Sequence, residues 1–463
     1  MTRLSFDGSA YAISIRFTSP GRHLPLTMQN LPGFRDFYPE DCARRNYILS
    51  TWREVARRYG FVEYDGPVLE PIELYEKKSG GELLGQLFDF VDKGGRHVAM
   101  RPEMTPTLAR MVAAREKDFR KPLKWFCCPQ FFRYEKQQRG RLREFHQFNA
   151  DICGESSPAA DAELIALAID ILRELGLTEQ DFVVRLSSRE IWASFLMEKR
   201  GLAGFASAEI DQLLTVIDKA ERQEESLINK QLEPLHLTFA EVQRWAQDWS
   251  RKIFEAGAVA GNSPLARFHE LLHAHLGPRG LLNYVEVDFS VVRGLAYYTG
   301  VVFEVFDRGK RERALAGGGR YDELLGLMSD GKVSLPALGF GMGDVVLANL
   351  INDTPLAKAK MEAWIAQNHA ADIFVVIAKE ERRSAALAIV QQLRDAGLRV
   401  DFPLAAAKVG KQFQTAEQGG AELAVLVGDE WPEVRIKALA TRQEHQIPHT
   451  ELADWLRNRQ KGV

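Results

Sequence analysis

The sequence predicts an α+β protein of several domains that ends in a compact α/β unit. Its 463 residues correspond to roughly three domains at ~150 residues each. Two strand-like stretches, REFHQFNADI (143–152) and YYTGVVFEVF (297–306), bracket a segment at about 190–280 with few strand signals. That segment is rich in Glu, Gln, Lys, Leu and Ala, and reads as a mostly helical insertion. From Asp372 the pattern changes: DIFVVIA, RVDFPL and AELAVLVG alternate with helix-like runs such as ERRSAALAIVQQLRDAG.

Taken in order, the first 27 residues hold three Arg and one Asp and no continuous apolar run, which argues against a secretory signal. An extended or mis-assigned start ahead of Met28 is preferred over a transit peptide, and this tail is expected to be loosely ordered. Pro39-Glu40-Asp41 is a helix start, with acids at the positive end of the dipole. Tyr47, Ile48, Trp52, Val55 and Tyr59 then form a helical stripe, and FVEYDGPVLEP reads as a short strand ending at prolines. RPEMTPTLARMVAAR is a strand end running into a helix. Strand signals flank the loop KQQRGR, and residues 157–175 read as a helix. Strand chemistry returns at LLNYVEVDFSVV, followed by the turn-rich LAGGGRYDELLGL and then LPALGFGMGDVVLANLI. The division that results is 1–27 extension, 28–189 first part of a catalytic domain, 190–280 insertion, 281–352 second part, 353–371 linker and 372–463 α/β domain.

Composition excludes little. No apolar stretch approaches the ~20 residues of a membrane span. The net charge of −3 gives no global attraction to nucleic acid, so a polyanion must be met by a local basic patch. Cys42, Cys127, Cys128 and Cys153 include no C-x-x-C spacing, which points to reduced thiols in the cytoplasm and away from zinc.

Such a patch exists. From Phe131 to Arg143 there are five cations and one acid. A solvated hairpin and a binding surface both fit. On a strand over 143–152, Arg143, Phe145, Gln147, Asn149 and Asp151 share one face, and Glu144, His146, Phe148, Ala150 and Ile152 the other. Arg133 and Glu135 share a face on the preceding strand. Buried polar rows need partners, and arginine suits phosphate. In RPEMT, Glu103 and Thr105 are either an ammonium cradle or a helix cap. VVRGLAYYTG places Arg293 beside two tyrosines. The glycines of LAGGGRYDELL lack the Lys-Ser/Thr of a P-loop and read as a tight strand-to-helix turn.

In this order the segments resemble the histidyl-tRNA synthetases, a class II aminoacyl-tRNA synthetase family. LPGFRDFYPED and DGPVLEP resemble the start of its catalytic domain and motif 1. RPEMT is similar to its R-P-E-G-T, FRYEKQQRGRLREFHQ to motif 2, and VVRGLAYYTG and AGGGRYDELL to its two histidine signatures. The resemblance implies an antiparallel-sheet catalytic domain of about six or seven strands with a helical insertion, then an anticodon-binding domain. It implies a histidine–tRNA ligase activity: histidine is activated by ATP with Mg²⁺, without zinc or an organic cofactor, and passed to tRNA(His). It also implies a cytoplasmic homodimer with no membrane association.

The resemblance assigns residues as follows. Arg293 and Arg133 are catalytic, acting on the α-phosphate. Glu103, Thr105 and Gln147 take the α-amino group, with Met104 and Arg133 in the same histidine site. Asp151, Tyr298 and Tyr321 hold the imidazole, and Tyr297 lines its pocket. Arg133, Glu135, Arg141, Arg143 and Arg293 bind ATP. Gln138, Arg139 and Arg141 meet the tRNA acceptor end. Three positions depart from the family pattern: Ala296 for Asp, Asp151 for the commoner Glu, and Val345-Val346 where motif 3 carries Glu-Arg. A divergent bacterial and organellar branch is similar at Ala296 and in motif 3. Two other readings compete. A catalytically silent paralogue that regulates ATP phosphoribosyltransferase usually lacks the C-terminal domain. A synthetase for threonine, proline or glycine lacks the paired histidine signatures.

Overall fold

A computed structural model describes residues 29–461 apart from residues 78–80, 137, 201–206, 221–222, 256–260, 262, 292–297, 310 and 370. The 1–27 tail, Arg293, Ala296 and Tyr297 lie outside the described residues.

The Pro39–Arg58 helix begins on a proline, with Glu40 and Asp41 in its first turn and Arg57 and Arg58 in its last, as the helix dipole favours. Its stripe buries Tyr47, Ile48, Trp52 and Val55. FVEYDGPVLEP holds two strands, β1 (Val62–Glu63) and β2 (Leu69–Pro71), because Gly66-Pro67 interrupts the run. β2 joins β3 (Asp89–Val91) and β4 (His97–Met100) in a small antiparallel sheet.

The main sheet takes β1 with β5 (Leu123–Cys127), β6 (Gln130–Phe132), β7 (Glu144–Cys153) and β8 (Phe182–Ser188). It also takes β9 (Val285–Val287), β10 (Val301–Asp307), β11 (Ala316–Arg320) and β12 (Ala337–Gly343). Its order is β1-β5-β7-β12-β11-β10-β8-β9, with β6 paired to β7 alone. From β5 through β8 every neighbour is antiparallel. Short parallel strands close both edges, so the sheet is wider than the expected six or seven strands.

One face of this sheet carries the core. Phe148, Ala150 and Ile152 of β7 pack into a cluster with the apolar Pro158–Glu174 helix and Trp52. The opposite face of β7 is polar, as the alternation predicts.

AGGGR is strand β11 and not a turn, and every residue of it is buried. A Cβ on Gly318 would lie 2.3 Å from the Gly339 carbonyl oxygen. These glycines thus serve close backbone packing between strands.

Between β8 and β9 the regular structure is helical among the described residues, from Arg189–Arg200 to Pro264–Glu270 and a short π-helix. Trp192, Phe195 and Trp245 of this segment pack with Phe289, which follows β9, and the Phe195 and Trp245 centroids are 4.5 Å apart. The segment read as a linker contains the Pro355–His369 helix, whose Ala357 and Met361 are buried in the main core. The last unit is a five-stranded sheet, β14-β13-β15-β16-β17. β13 (Ile373–Ile377), β14 (Val400–Asp401) and β15 (Leu423–Val427) are parallel. β16 (Glu433–Ala438) and β17 (Glu444–Pro448) add an antiparallel edge. No described helix is long and apolar enough to cross a membrane.

Candidate active site

The polar face of β7 is opposed by glycine. Gly339 pairs with Asp151, Gly341 with Asn149 and Gly343 with Gln147. Across the next strand Gly319 pairs with Gly339 and Gly317 with Gly341. With no side chains at these facing positions, Asp151 and Gln147 lie flat over the backbone of Gly339 and Gly341. The Tyr321 hydroxyl donates to the Asp151 carboxylate, and Gln147 Nε2 donates to Asn149 Oδ1 at 3.0 Å. Tyr298 and Tyr321 are buried in one cluster with Cys153. A Cβ on Gly339 would lie 2.0 Å from Asp151 Oδ1 and 2.9 Å from the Tyr321 hydroxyl. Gly339→Ala is therefore expected to raise the histidine KM by ~10-fold or more, about 1.4 kcal/mol, with the ATP KM unchanged. Pyrophosphate exchange at varied histidine and varied ATP reads this directly.

The RPEMT segment borders the same face. β4 ends at Met100, and Thr105 opens the Thr105–Ala114 helix without capping it. Glu103, Met104 and Thr105 are buried. The Phe132 N–H donates to the Arg101 carbonyl at 3.1 Å. Arg133 Nε donates to the Pro102 carbonyl at 2.9 Å, and its guanidinium stands 5.2 Å from the Phe145 ring centre. Arg133 is thereby brought beside Glu103 and Met104.

β6 ends at Phe132, so Arg133 and Glu135 are not strand neighbours sharing a face. Arg133 N donates to the Arg143 carbonyl at 2.9 Å. Tyr134 N then turns to the Gln86 carbonyl at 2.7 Å, and the pairing stops. Glu135 faces Arg141 at 2.7 Å. Arg143 stacks on Tyr134 with its guanidinium carbon 4.1 Å from the ring centre.

At the tip of this loop Arg139 meets Glu312 at 2.7 Å, and Arg313 donates to Gln138 Oε1 at 2.8 Å. The β10–β11 hairpin that supplies these partners was not singled out in the sequence, although its charge run RGKRER was visible there.

Where motif 3 would carry Glu-Arg, the Asp344–Asp353 helix presents Val345 and a buried Val346. A Cβ on Gly140 would touch Val346 at 3.0 Å. The helix start is held instead by Arg35, whose Nη1 donates to Asp344 Oδ2 at 2.9 Å and whose Nη2 donates to Glu144 Oε1 at 3.3 Å. Asp344 Oδ1 accepts from the His146 N–H at 3.0 Å. Burial pushes the His146 imidazole down to about 4; Glu144 opposes the shift, and Arg45, Arg35 and Arg53 add to it.

An unfolded histidine, near ~6.5, binds its proton before this one does. Stability is therefore complete above ~6.5 and is lost as pH falls toward 4. The melting temperature is expected to drop through that window, and His146→Gln to flatten the drop. Equal slopes in both proteins would remove His146 as a source.

The arginine of GGGRYD is structural. Arg320 is buried against Asp161, with Nη2 to Oδ2 at 2.5 Å and Nε to Oδ1 at 3.3 Å. It also donates to the Glu155 carbonyl at 3.0 Å and the Ser157 carbonyl at 3.3 Å. Nothing in residue type alone separates this arginine from a ligand-binding one.

A family model described as histidyl-tRNA synthetase matches residues 33–343, and one described as an anticodon-binding domain matches residues 372–459. The chain belongs to the histidyl-tRNA synthetase family. A histidine–tRNA ligase of Opitutus terrae is 44% identical over 445 residues, 93% of this chain and 98% of that protein. A chloroplastic/mitochondrial histidine–tRNA ligase of Arabidopsis thaliana is 35% identical, over 93% of this chain and 87% of its own length. The crystal structure of histidyl-tRNA synthetase from Nostoc sp. PCC 7120 shares the fold, with TM-score 0.73 and 24% identity over 94% of this chain and 100% of that one. In histidyl-tRNA synthetase terms, Glu103, Met104, Thr105, Arg133, Gln147, Asp151, Tyr298 and Tyr321 border one face of the sheet. Gln138, Arg139 and Arg141 lie on the loop beside it. Arg293 and Tyr297 fall outside the described residues.

Proposed function

We propose that this protein is a histidine–tRNA ligase that forms histidyl-adenylate and pyrophosphate from histidine and ATP, then transfers histidine to the 3′ end of tRNA(His). The observation that carries this is the match of both family domains in one chain, with 44% identity to a histidine–tRNA ligase across nearly all of both proteins.

In the first step the histidine carboxylate oxygen attacks the α-phosphorus, and the bond to the leaving pyrophosphate breaks. Arg133 and Arg293 stabilise the charge that builds on the α-phosphate. Glu103, Thr105 and Gln147 hold the ammonium group, and Asp151, Tyr298 and Tyr321 hold the imidazole. Glu135, Arg141 and Arg143 bind ATP, which enters as its magnesium complex. In the second step the terminal ribose hydroxyl of the tRNA attacks the adenylate's carbonyl carbon and AMP leaves. Gln138, Arg139 and Arg141 receive the acceptor end.

The same reading places the protein in the cytoplasm as a homodimer. Val62 of β1, Val68 just before β2, Leu69 of β2, and Phe90 and Val91 of β3 are exposed apolar side chains, which supports burial against a second copy. Histidine-dependent ATP–pyrophosphate exchange, with threonine, proline and glycine as controls, tests the assignment. Exchange with histidine alone supports it. Histidine binding without exchange would instead indicate the regulatory paralogue.

A further inference from the structure

The hairpin between β10 and β11 stands beside the site and is held firmly at its base. Asp307, buried at the end of β10, accepts from the Gly309 N–H at 2.8 Å and from the Arg311 N–H at 3.0 Å. Arg308 ties the near side of the turn to the Glu179 carbonyl at 2.7 Å and to Glu286 at 2.8 Å. The hairpin is therefore an anchor.

From this anchor one acid reaches into the loop between β6 and β7. The Glu312 side chain is only 2% exposed. Its Oε1 accepts from Arg139 Nε at 2.7 Å and pairs with Arg139 Nη2 at 2.7 Å. Asn349 Nδ2, on the Asp344–Asp353 helix, donates to the same oxygen at 3.4 Å. The contact also runs in the other direction, because Arg313 of the hairpin donates to Gln138 Oε1 at 2.8 Å. The loop closes a tight turn over these residues, with the Arg141 N–H donating to the Gln138 carbonyl at 2.9 Å. Gly140, inside that turn, rests against Val346.

This geometry leaves Arg139 half engaged. A guanidinium has two edges that can each grip an oxyanion. Glu312 takes the Nε–Nη2 edge, Nη1 enters none of these contacts, and the side chain stays 67% exposed. A fixed acid behind an arginine aims the other edge outward and removes ordering that binding would otherwise cost. Charge alone argues the opposite way. An acid beside an approaching polyanion weakens its binding, so the two accounts of Glu312 predict opposite signs.

We propose that the β10–β11 hairpin is a positioning element for the tRNA acceptor end. Glu312 holds Arg139, and Arg313 holds Gln138, in the arrangement that receives the phosphates of the RNA. This rests on the ligase reading above and on its placing of Gln138 and Arg139 at the acceptor end. Glu312 itself acts only through Arg139.

Glu312→Ala is expected to raise the KM for tRNA(His) in aminoacylation ~3–10-fold, the ordering cost of one long side chain. Histidine-dependent pyrophosphate exchange, which needs no tRNA, is expected to stay unchanged. Glu312→Gln keeps an acceptor for the Arg139 edge and is expected to fall between wild type and alanine. Placed on top of Arg139→Ala, Glu312→Ala is expected to add nothing, since the residue it positions is gone.

A tRNA KM that is unchanged or lower in Glu312→Ala overturns the proposal, and a lower one marks the acid as a competitor of the RNA for Arg139. So does an effect that persists in full in the Arg139→Ala background, or a matching loss in exchange, either of which marks a structural role. Wild-type protein without histidine-dependent exchange overturns the ligase reading. Arg139→Ala with a wild-type tRNA KM overturns the placing of Arg139 alone. The hairpin proposal falls with either.

Discussion

Arg133→Ala is expected to slow histidine-dependent pyrophosphate exchange by ~10²–10³-fold, the usual loss when one preorganised donor to a developing charge is removed. Preorganisation is the physical basis. The guanidinium is pinned by the Pro102 carbonyl at 2.9 Å and flanked by the Phe145 ring, so little conformational freedom is left to lose when ATP arrives. Those contacts stabilise the fold only modestly, and the melting temperature should move little. Arg133→Lys keeps the charge but loses the planar fork, and is expected to fall between wild type and alanine. Exchange rates at saturating substrates, with melting curves on the same samples, check both variants. A loss smaller than ~10-fold in Arg133→Ala would take this residue out of the reaction.

Arg320→Ala is expected to destabilise the protein by ~3–5 kcal/mol, because it leaves a buried carboxylate unpaired. Asp161 shows why: burial raises its pKa even though Arg320 pulls the other way. The ion pair joins β11, whose glycines give it no side chains to anchor, to the first turn of the Pro158–Glu174 helix. Denaturant midpoints measure the loss. Replacing both partners by apolar residues, Arg320→Met with Asp161→Leu, should recover most of it. A double variant as unstable as the single would mean that the backbone carbonyls Arg320 caps, and not Asp161, are the larger part.

What the sequence made legible follows from periodicity. The 143–152 alternation predicted two unlike faces, and β7 has them, with Phe148, Ala150 and Ile152 in the core and Asp151 under Tyr321. The stripe of the Pro39–Arg58 helix was equally plain. β11 was hidden because glycine carries no period, so a strand built for backbone approach looks like a turn. β6 stops early because Tyr134 bonds to Gln86, a contact between distant segments that local pattern does not encode. Arg320 was missed for a related reason. A buried ion pair is set by what lies opposite in space. β17 was missed because this exposed edge strand, EHQIP, carries almost no apolar alternation, whereas β16 was overlooked although EVRIKA alternates and buries Val434, Ile436 and Ala438.

The floor under Asp151 and Gln147 is peptide backbone, supplied by Gly317, Gly319, Gly339 and Gly341. Glycine is the smallest residue there is, so this cavity already has its greatest depth and no substitution in the floor can deepen it. Any change there makes the pocket shallower. If the histidine site is the one proposed, redirecting the enzyme toward a bulkier amino acid must therefore work through Asp151, Tyr298 and Tyr321, while a smaller one would be favoured by a single methyl group in the floor. Substrate choice in this protein is adjustable in one direction from below and only from the sides in the other.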